Sequence, residues 1–135
     1  MSALAVLCLG VFPALVAGGI PSADFTLAWT HSIEKVRWEE DWQVRGLTVV
    51  PVAARVRGSG AGMEPPPGSI LRDGWYHYVP AVAPLDRLTL SRRGYAADYE
   101  LCWDGTCRPM ASVAAPGPDG TTDLFACAAA GPSRR

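Results

Sequence analysis

The residues from Phe25 to Arg45 alternate between apolar and polar side chains, and this alternation is the strongest constraint on the fold. A repeat of about two residues places successive side chains on opposite faces of a strand. Residues 25–33 and 36–45 are therefore predicted to be strands with one buried face. The first buried face consists of Phe25, Leu27, Trp29, His31 and Ile33, and the second of Val36, Trp38, Glu40, Trp42 and Val44.

Several shorter strands are predicted after these two. Residues 47–57 form a third strand, with a bend at Pro51, because proline within a ladder favours an edge or a bulge. Turns rich in glycine and proline separate the later strands, which are predicted at residues 75–80, 87–91, 99–102 and 107–110. This spacing predicts an all-β fold, a small antiparallel β-sandwich or partly open barrel, in a single domain over residues 20–110.

A tight hairpin is predicted around Asp104-Gly105, because both positions of a type I′ turn need positive φ. The turn places Trp103 opposite Thr106 and Cys102 opposite Cys107. The cysteines then form a non-hydrogen-bonded pair, whose Cα atoms are close enough for a disulfide, and a disulfide implies an oxidising compartment. A metal-binding pair is the alternative, but the chain lacks a second Cys or His pair, so no metal site is predicted.

Residues 1–19 are predicted to be a signal peptide or an uncleaved membrane anchor. Residues 4–17 are almost entirely apolar, and the first charged residue of the chain is Asp24. The run is short for a membrane span but suits the apolar region of a signal peptide, although no Lys or Arg precedes it. A buried N-terminal helix is the alternative. The sequence thus predicts a periplasmic or extracytoplasmic protein that contacts the membrane only through this segment, if it stays uncleaved.

The C-terminal residues 111–135 are predicted to form a flexible tail, because Ala, Gly, Pro, Ser and Thr dominate there. Cys127 has no evident partner in this tail. Across the chain the net charge is −1, with acidic and basic residues interspersed, which excludes the basic stripe that nucleic-acid binding requires. The adjacent Arg92 and Arg93 are expected to be solvated charges.

Two polar residues interrupt the apolar faces of the first two strands, His31 and Glu40. A turn centred on residues 34–35 places His31 opposite Trp38 and Trp29 opposite Glu40, so that the histidine and the carboxylate are diagonal neighbours. Trp29, Trp38 and Trp42 frame this pair, and partial burial would couple the two proton affinities. Such a pair can perform acid–base chemistry, bind a polar ligand or contribute two metal ligands; the alternative is a purely structural pair.

The segment 58–62 contains three glycines but lacks the Gly-Lys-Ser/Thr ending of a phosphate-binding loop, so a tight turn is the favoured interpretation. No cofactor is predicted. The ligand-binding candidates are His31, Ser32, Glu40, Ser59, Gly60 and Gly62.

These residues also carry a resemblance to a known family. The His31-Ser32 pair, Glu40 and the Gly60-Ala61-Gly62 turn follow one another in the order seen in the bacterial domain of unknown function 1850 family. The resemblance covers residues from Phe25 to Met110. It implies an exported protein that is often encoded near tripartite ATP-independent periplasmic (TRAP) transporters of the TAXI type, with no established activity.

The favoured function is an exported accessory or small-ligand-binding protein, whose partner is a membrane transporter subunit or a small organic solute. An enzyme is less favoured. One alternative is a small periplasmic hydrolase that uses His31 and Glu40 with Ser32 or Ser59, although Ser32 points away from His31 in an extended strand. Another alternative is a structural domain that docks a membrane protein through an aromatic patch.

Overall fold

The computed structural model describes residues 6–30, 35–58, 66–94 and 97–127. This part of the chain contains eleven strands and one short 3-10 helix. The elements in chain order are β1 (Leu7–Val11), β2 (Leu15–Ile20), β3 (Asp24–Thr30), β4 (Arg37–Arg45), β5 (Thr48–Arg57), β6 (Ile70–Arg72), β7 (Trp75–Tyr78), β8 (Leu88–Ser91), β9 (Glu100–Trp103), β10 (Thr106–Pro109), the 3-10 helix (Met110–Ser112) and β11 (Thr121–Ala126).

The strands form two antiparallel sheets that are not closed into a barrel, which confirms the predicted all-β class. The large sheet has seven strands in the order β10-β9-β3-β4-β5-β7-β6. The small sheet has four strands in the order β2-β1-β11-β8. Among the described residues, no helix is long and apolar enough to cross a membrane.

The hydrophobic core lies between the two sheets and contains side chains from both. Leu27 and Leu101 from the large sheet are fully buried, as are Leu7, Leu9 and Leu124 from the small sheet. Burying one such side chain contributes roughly 1.5–3 kcal/mol. The alternation predicted for β3 is observed, because Phe25 and Leu27 face this core while Thr26 lies on the outer face beside Asp41. We call the core-facing side of the large sheet its inner face.

The predicted hairpin at Asp104-Gly105 and the predicted bend near Pro51 are confirmed. Asp104 and Gly105 have φ of 54° and 75°, as a type I′ turn requires. Cys102 and Cys107 face each other across this hairpin with a Cα–Cα distance of 3.9 Å, and their sulfur atoms form a disulfide. The bend expected near Pro51 is a β-bulge, where the register between β4 and β5 shifts.

Both ends of the chain contribute strands to the small sheet, and these strands lie largely outside the predicted β domain of residues 20–110. Residues 7–20 form β1 and β2, and β1 pairs with β11. The tail expected to be flexible is therefore structured up to residue 127, since its apolar residues pair with an N-terminal strand that lies far away in sequence. A Cβ atom on Gly18 would clash with the carbonyl oxygen of Val113, which shows how closely the two ends are fitted.

The expectation that Cys127 lacks a partner is wrong, because it forms a disulfide with Cys8. The two residues are 119 positions apart, and local sequence spacing gives no signal for such a pair. Both cysteines are buried and pack with Phe125 and Phe12. All four cysteines of the chain are thus in disulfides, in agreement with an oxidising compartment.

The expectation that Arg92 is solvated is also wrong. Its side chain is only 1% exposed, and it donates hydrogen bonds to the carbonyl oxygen of Ala114 and to the Thr122 hydroxyl. The Asp98 carboxylate pairs with the other side of the guanidinium at 2.7 Å. A buried charge is costly unless it is paired and hydrogen-bonded, and these three contacts meet that requirement.

The two disulfides should differ in their contribution to stability. In the chain-entropy view, cross-linking ends 119 residues apart contributes about 5 kcal/mol, whereas a five-residue separation contributes about 2 kcal/mol. We expect the double variant Cys8→Ala/Cys127→Ala to lose more unfolding free energy in urea than the matched variant Cys102→Ala/Cys107→Ala. An equal or smaller loss would contradict the structural role assigned to the pairing of the chain ends.

Candidate functional site

Glu40 lies in the middle of β4 on the inner face of the large sheet, where the other positions are apolar. Its cross-strand neighbours are Leu27 on β3 and Ala54 on β5. Both neighbours are buried, with exposures of 0% and 1%, whereas Glu40 itself is half-buried. The carboxylate therefore lies at the margin of the core, where it still reaches solvent.

The register of the β3–β4 hairpin differs from the predicted one by two residues. Trp29 lies opposite Trp38, and Leu27 lies opposite Glu40, where the sequence analysis expected Trp29. The observed pairs extend from Asp24–Gln43 to Thr30–Arg37, and residues 31–34 of the connection lie outside the described residues. The diagonal between Glu40 and His31 followed from the predicted register and does not follow from the observed one.

The Glu40 carboxylate accepts one hydrogen bond from another side chain of the described residues. The indole Nε1 of Trp42 donates to Oε1 of Glu40 at 3.1 Å. Burial raises the pKa of Glu40, and the hydrogen bond from Trp42 only partly opposes this effect. Removing the carboxylate from water therefore outweighs the stabilisation that its one indole donor supplies.

Aromatic side chains cover the inner face between Glu40 and the place where β3 ends and β4 begins. The rings of Trp29 and Trp38 stack with centroids 6.0 Å apart, and Tyr99 lies 5.8 Å from Trp29. Nε1 of Trp38 is buried and has no hydrogen-bond partner among the described residues. Such an unpaired donor is uncommon in native structures, because it loses water without gaining an acceptor.

Two tyrosines face the same carboxylate from different strands. Tyr78 on β7 pairs with Ala54, which is next to Glu40 in the sheet, and Tyr99 immediately precedes β9. Burial, and secondly the negative charge of Glu40, raise the pKa of both phenols. Sequence reasoning missed these two residues, because their approach to Glu40 depends on strand pairings that local patterns do not specify.

The remaining predicted candidates fall in two segments next to this region. His31 and Ser32 lie in residues 31–34, and Ser59, Gly60 and Gly62 lie in residues 59–65; all five are outside the described residues. β3 and β5 both end on the same side of the large sheet, where the Trp29–Trp38 pair is located. Of the predicted site residues, the structure brings together Glu40, Trp29, Trp38 and Trp42.

The carboxylates on the outer face of β4 differ from Glu40 because they are paired with arginines. Glu39 is bound by both Arg37 and Arg55 at 2.7 Å, and Arg55 also pairs with Asp41 at 3.0 Å. Burial raises the pKa of Glu39, but the hydrogen bonds from the two arginines reverse this effect and lower the pKa overall. The pKa of Asp41 is lowered in the same way by Arg55 and Thr26.

An open groove of about 550 Å³ lies on this outer face, lined in part by Asp41, Arg55 and Trp103. Arg55 pairs along it with Glu39 and Asp41, and Arg108 lies over the Trp103 ring at 3.7 Å from its centroid. Each charged side chain along the groove is thus either paired with an opposite charge or, as for Asp24 and Asp104, exposed to water. Glu40 on the inner face differs in this respect, and we take it as the centre of the candidate site.

Comparison with known proteins identifies one family. A family model described as a domain of unknown function (DUF1850) matches residues 25–110, which extend from β3 to the start of the 3-10 helix. No curated protein and no solved structure matches the chain.

The adjacent residues Glu39 and Glu40 should make pH-dependent contributions of opposite sign to the free energy of unfolding. Because the pKa of Glu40 is raised in the folded state, its ionised form lowers the free energy of unfolding. This destabilisation is absent at pH values below the ordinary pKa of about 4.5 and is complete above the pKa of the folded state. We expect Glu40→Gln to be more stable than the native chain at pH 7, and this difference should vanish as the pH falls below 4.5. Tyr78 and Tyr99 face Glu40 but stay neutral throughout this range.

The matched variant Glu39→Gln should lose stability at pH 7. The lowered pKa means that ionised Glu39 stabilises the fold above the ordinary value of about 4.5, and this contribution disappears as the pH falls through the folded pKa. Urea unfolding of the native chain and both variants between about pH 3 and pH 8 measures the two effects. A loss of stability for both variants at pH 7 would contradict the assignment of Glu40.

Proposed function

The chain belongs to the DUF1850 family, and from this premise we propose that it is an exported small-ligand-binding protein whose site is centred on Glu40. The observation that supports the proposal is a half-buried carboxylate, framed by aromatic rings, that has no cationic partner among the described residues. Aromatic side chains with a few polar groups that orient the ligand are typical of the lining of small-molecule sites.

A second observation favours binding over a purely structural role. Nε1 of Trp38 is buried without an acceptor in the part of the chain that the structure describes. Two polar groups on one inner face, a carboxylate with one donor and an indole with no acceptor, both gain if a ligand supplies complementary groups. The hydrolase alternative requires Ser32 or Ser59, which lie outside the described residues.

Binding should be detectable as thermal stabilisation of the native chain by a panel of small organic acids, amines and polyols. A ligand that binds the folded state alone raises the midpoint of unfolding by mass action. We expect at least one class of compound to raise the midpoint, and Glu40→Gln and Trp38→Phe to reduce that shift. Glu39→Gln, on the outer face of the same strand, is the control that should keep it. No shift across the whole panel would overturn the binding proposal.

We propose an extracytoplasmic location for this activity, supported by the two disulfides. The accessory role beside a TRAP-type transporter is carried over from the family resemblance and is part of the same proposal. Periplasmic protein from a bacterial host, treated with an alkylating reagent before reduction, should show no modified cysteine. Retention in the cytoplasmic fraction, or alkylation of Cys8 and Cys127, would contradict the proposed location.

A further inference from the structure

The chemistry of the missing partner can be argued from the charges around Glu40. Every ion pair among the described residues joins an arginine to a carboxylate other than Glu40. These pairs are Arg37–Glu39, Arg37–Glu100, Arg55–Glu39, Arg55–Asp41 and Arg92–Asp98. The inner-face carboxylate is thus the exception on β4, since both outer-face carboxylates of that strand are neutralised by arginine.

The other cations of the described residues are engaged or distant. Arg57, Arg87 and Arg108 lie over the rings of aromatic residues elsewhere in the fold, at 5.4, 5.0 and 3.7 Å from the centroids. His77 pairs with Arg55 in the sheet and therefore belongs to the outer face. The single lysine, Lys35, is exposed to solvent, and so are Arg45, Arg72 and Arg93. In this part of the chain no cation balances Glu40.

The walls of the site also favour a positive charge. Trp29, Trp38, Tyr78 and Tyr99 lie on the same inner face as the carboxylate, and the π faces of Trp and Tyr attract cations. A carboxylate adds a charge-assisted hydrogen bond to an ammonium group. An anionic ligand would instead be repelled by Glu40, and a neutral ligand would leave its charge uncompensated.

A second requirement on the ligand comes from Trp38. Its Nε1 is a donor without an acceptor among the described residues, and indole has no other hydrogen-bonding capacity. A ligand that carries an oxygen acceptor beside its ammonium group satisfies both the carboxylate and the indole. Residues 38 and 40 lie on the same face of β4, about 7 Å apart along the strand, which a small bifunctional molecule can span.

We infer that the Glu40 site binds a small organic cation, a protonated amine that also carries a hydrogen-bond acceptor. The inference rests on the proposed function and specifies its ligand. The ammonium group lies against the carboxylate within the aromatic frame, and the acceptor receives the hydrogen bond from Nε1 of Trp38. Glu40, Trp38, Tyr78 and Tyr99 are half-buried, so the carboxylate is reached from solvent, whereas Nε1 of Trp38 is buried and receives the acceptor only when the ligand lies against the indole.

Calorimetric titration of the native full-length chain with matched probes tests this inference. Ethanolamine and glycinamide carry an ammonium group and an acceptor, ethylene glycol and glycolamide replace the ammonium by a hydroxyl group, and ethylamine lacks the acceptor. We expect the first two to bind at least tenfold more tightly than their hydroxyl counterparts. Glu40→Gln should abolish this preference, whereas Glu39→Gln should retain it.

The contribution of the indole has its own comparison. Trp38→Phe should weaken ethanolamine binding severalfold more than ethylamine binding, because both ligands use the aromatic face but only ethanolamine uses the indole donor. Tighter binding of the hydroxyl probes, or of small organic acids, would overturn the amine inference while leaving the proposed binding function in place. If no amine, acid or polyol binds the native chain, both the inference and the proposed function fail.

Discussion

The pairing of β1 with β11 is the constraint on which the rest of the fold depends. These two strands come from opposite ends of the chain, and they form the centre of the small sheet that covers the inner face of the large one. Without them, Leu27 and Leu101 would face water, and the large sheet would have no second layer. The disulfide between Cys8 and Cys127 ties the same two ends together.

The unequal size of the two sheets explains where the candidate site lies. Four strands cover seven, so burial on the inner face is complete at Leu27 and Trp42 and partial at Trp38, Glu40 and nearby aromatic residues. A carboxylate fully inside the sandwich would be costly, and one on the outer face would be solvated or paired. The margin of the core is where a carboxylate can be partly desolvated and still reached from solvent.

Features that depend on neighbouring residues could be predicted from the sequence, whereas features that depend on pairing between distant segments could not. The alternation in β3 and β4 is a consequence of one buried face, and the hairpin of Cys102 and Cys107 follows from the conformation that Asp-Gly prefers, so both could be predicted. The apolar run that forms β1 and β2 has no such local interpretation, because a strand such as β1, buried by a distant partner, resembles in sequence the apolar region of a signal peptide.

The site was predicted in part for the same reason. Glu40 and its tryptophan frame follow from the period of the strand, whereas the pairing across the hairpin depends on the length of a connection that composition does not fix. A register error of two residues keeps every side chain on its predicted face but changes its cross-strand partner. Glu40 therefore lies on the inner face as predicted, but Leu27 lies opposite it in place of Trp29. Tyr78 and Tyr99 required the order of strands in the sheet, which single-segment patterns do not contain.

The contrast between Glu39 and Glu40 gives the physical argument for a function at the inner face. Among the described residues, two arginines bind Glu39 and only an indole donor reaches Glu40, although both carboxylates lie in the same strand. A glutamine at position 40 could accept the same hydrogen bond without the cost of desolvating a charge. The ionised carboxylate of Glu40 thus lowers the stability of the fold without a structural role that a neutral glutamine could not fill. Such destabilising groups are typical of places where a protein binds or transforms another molecule.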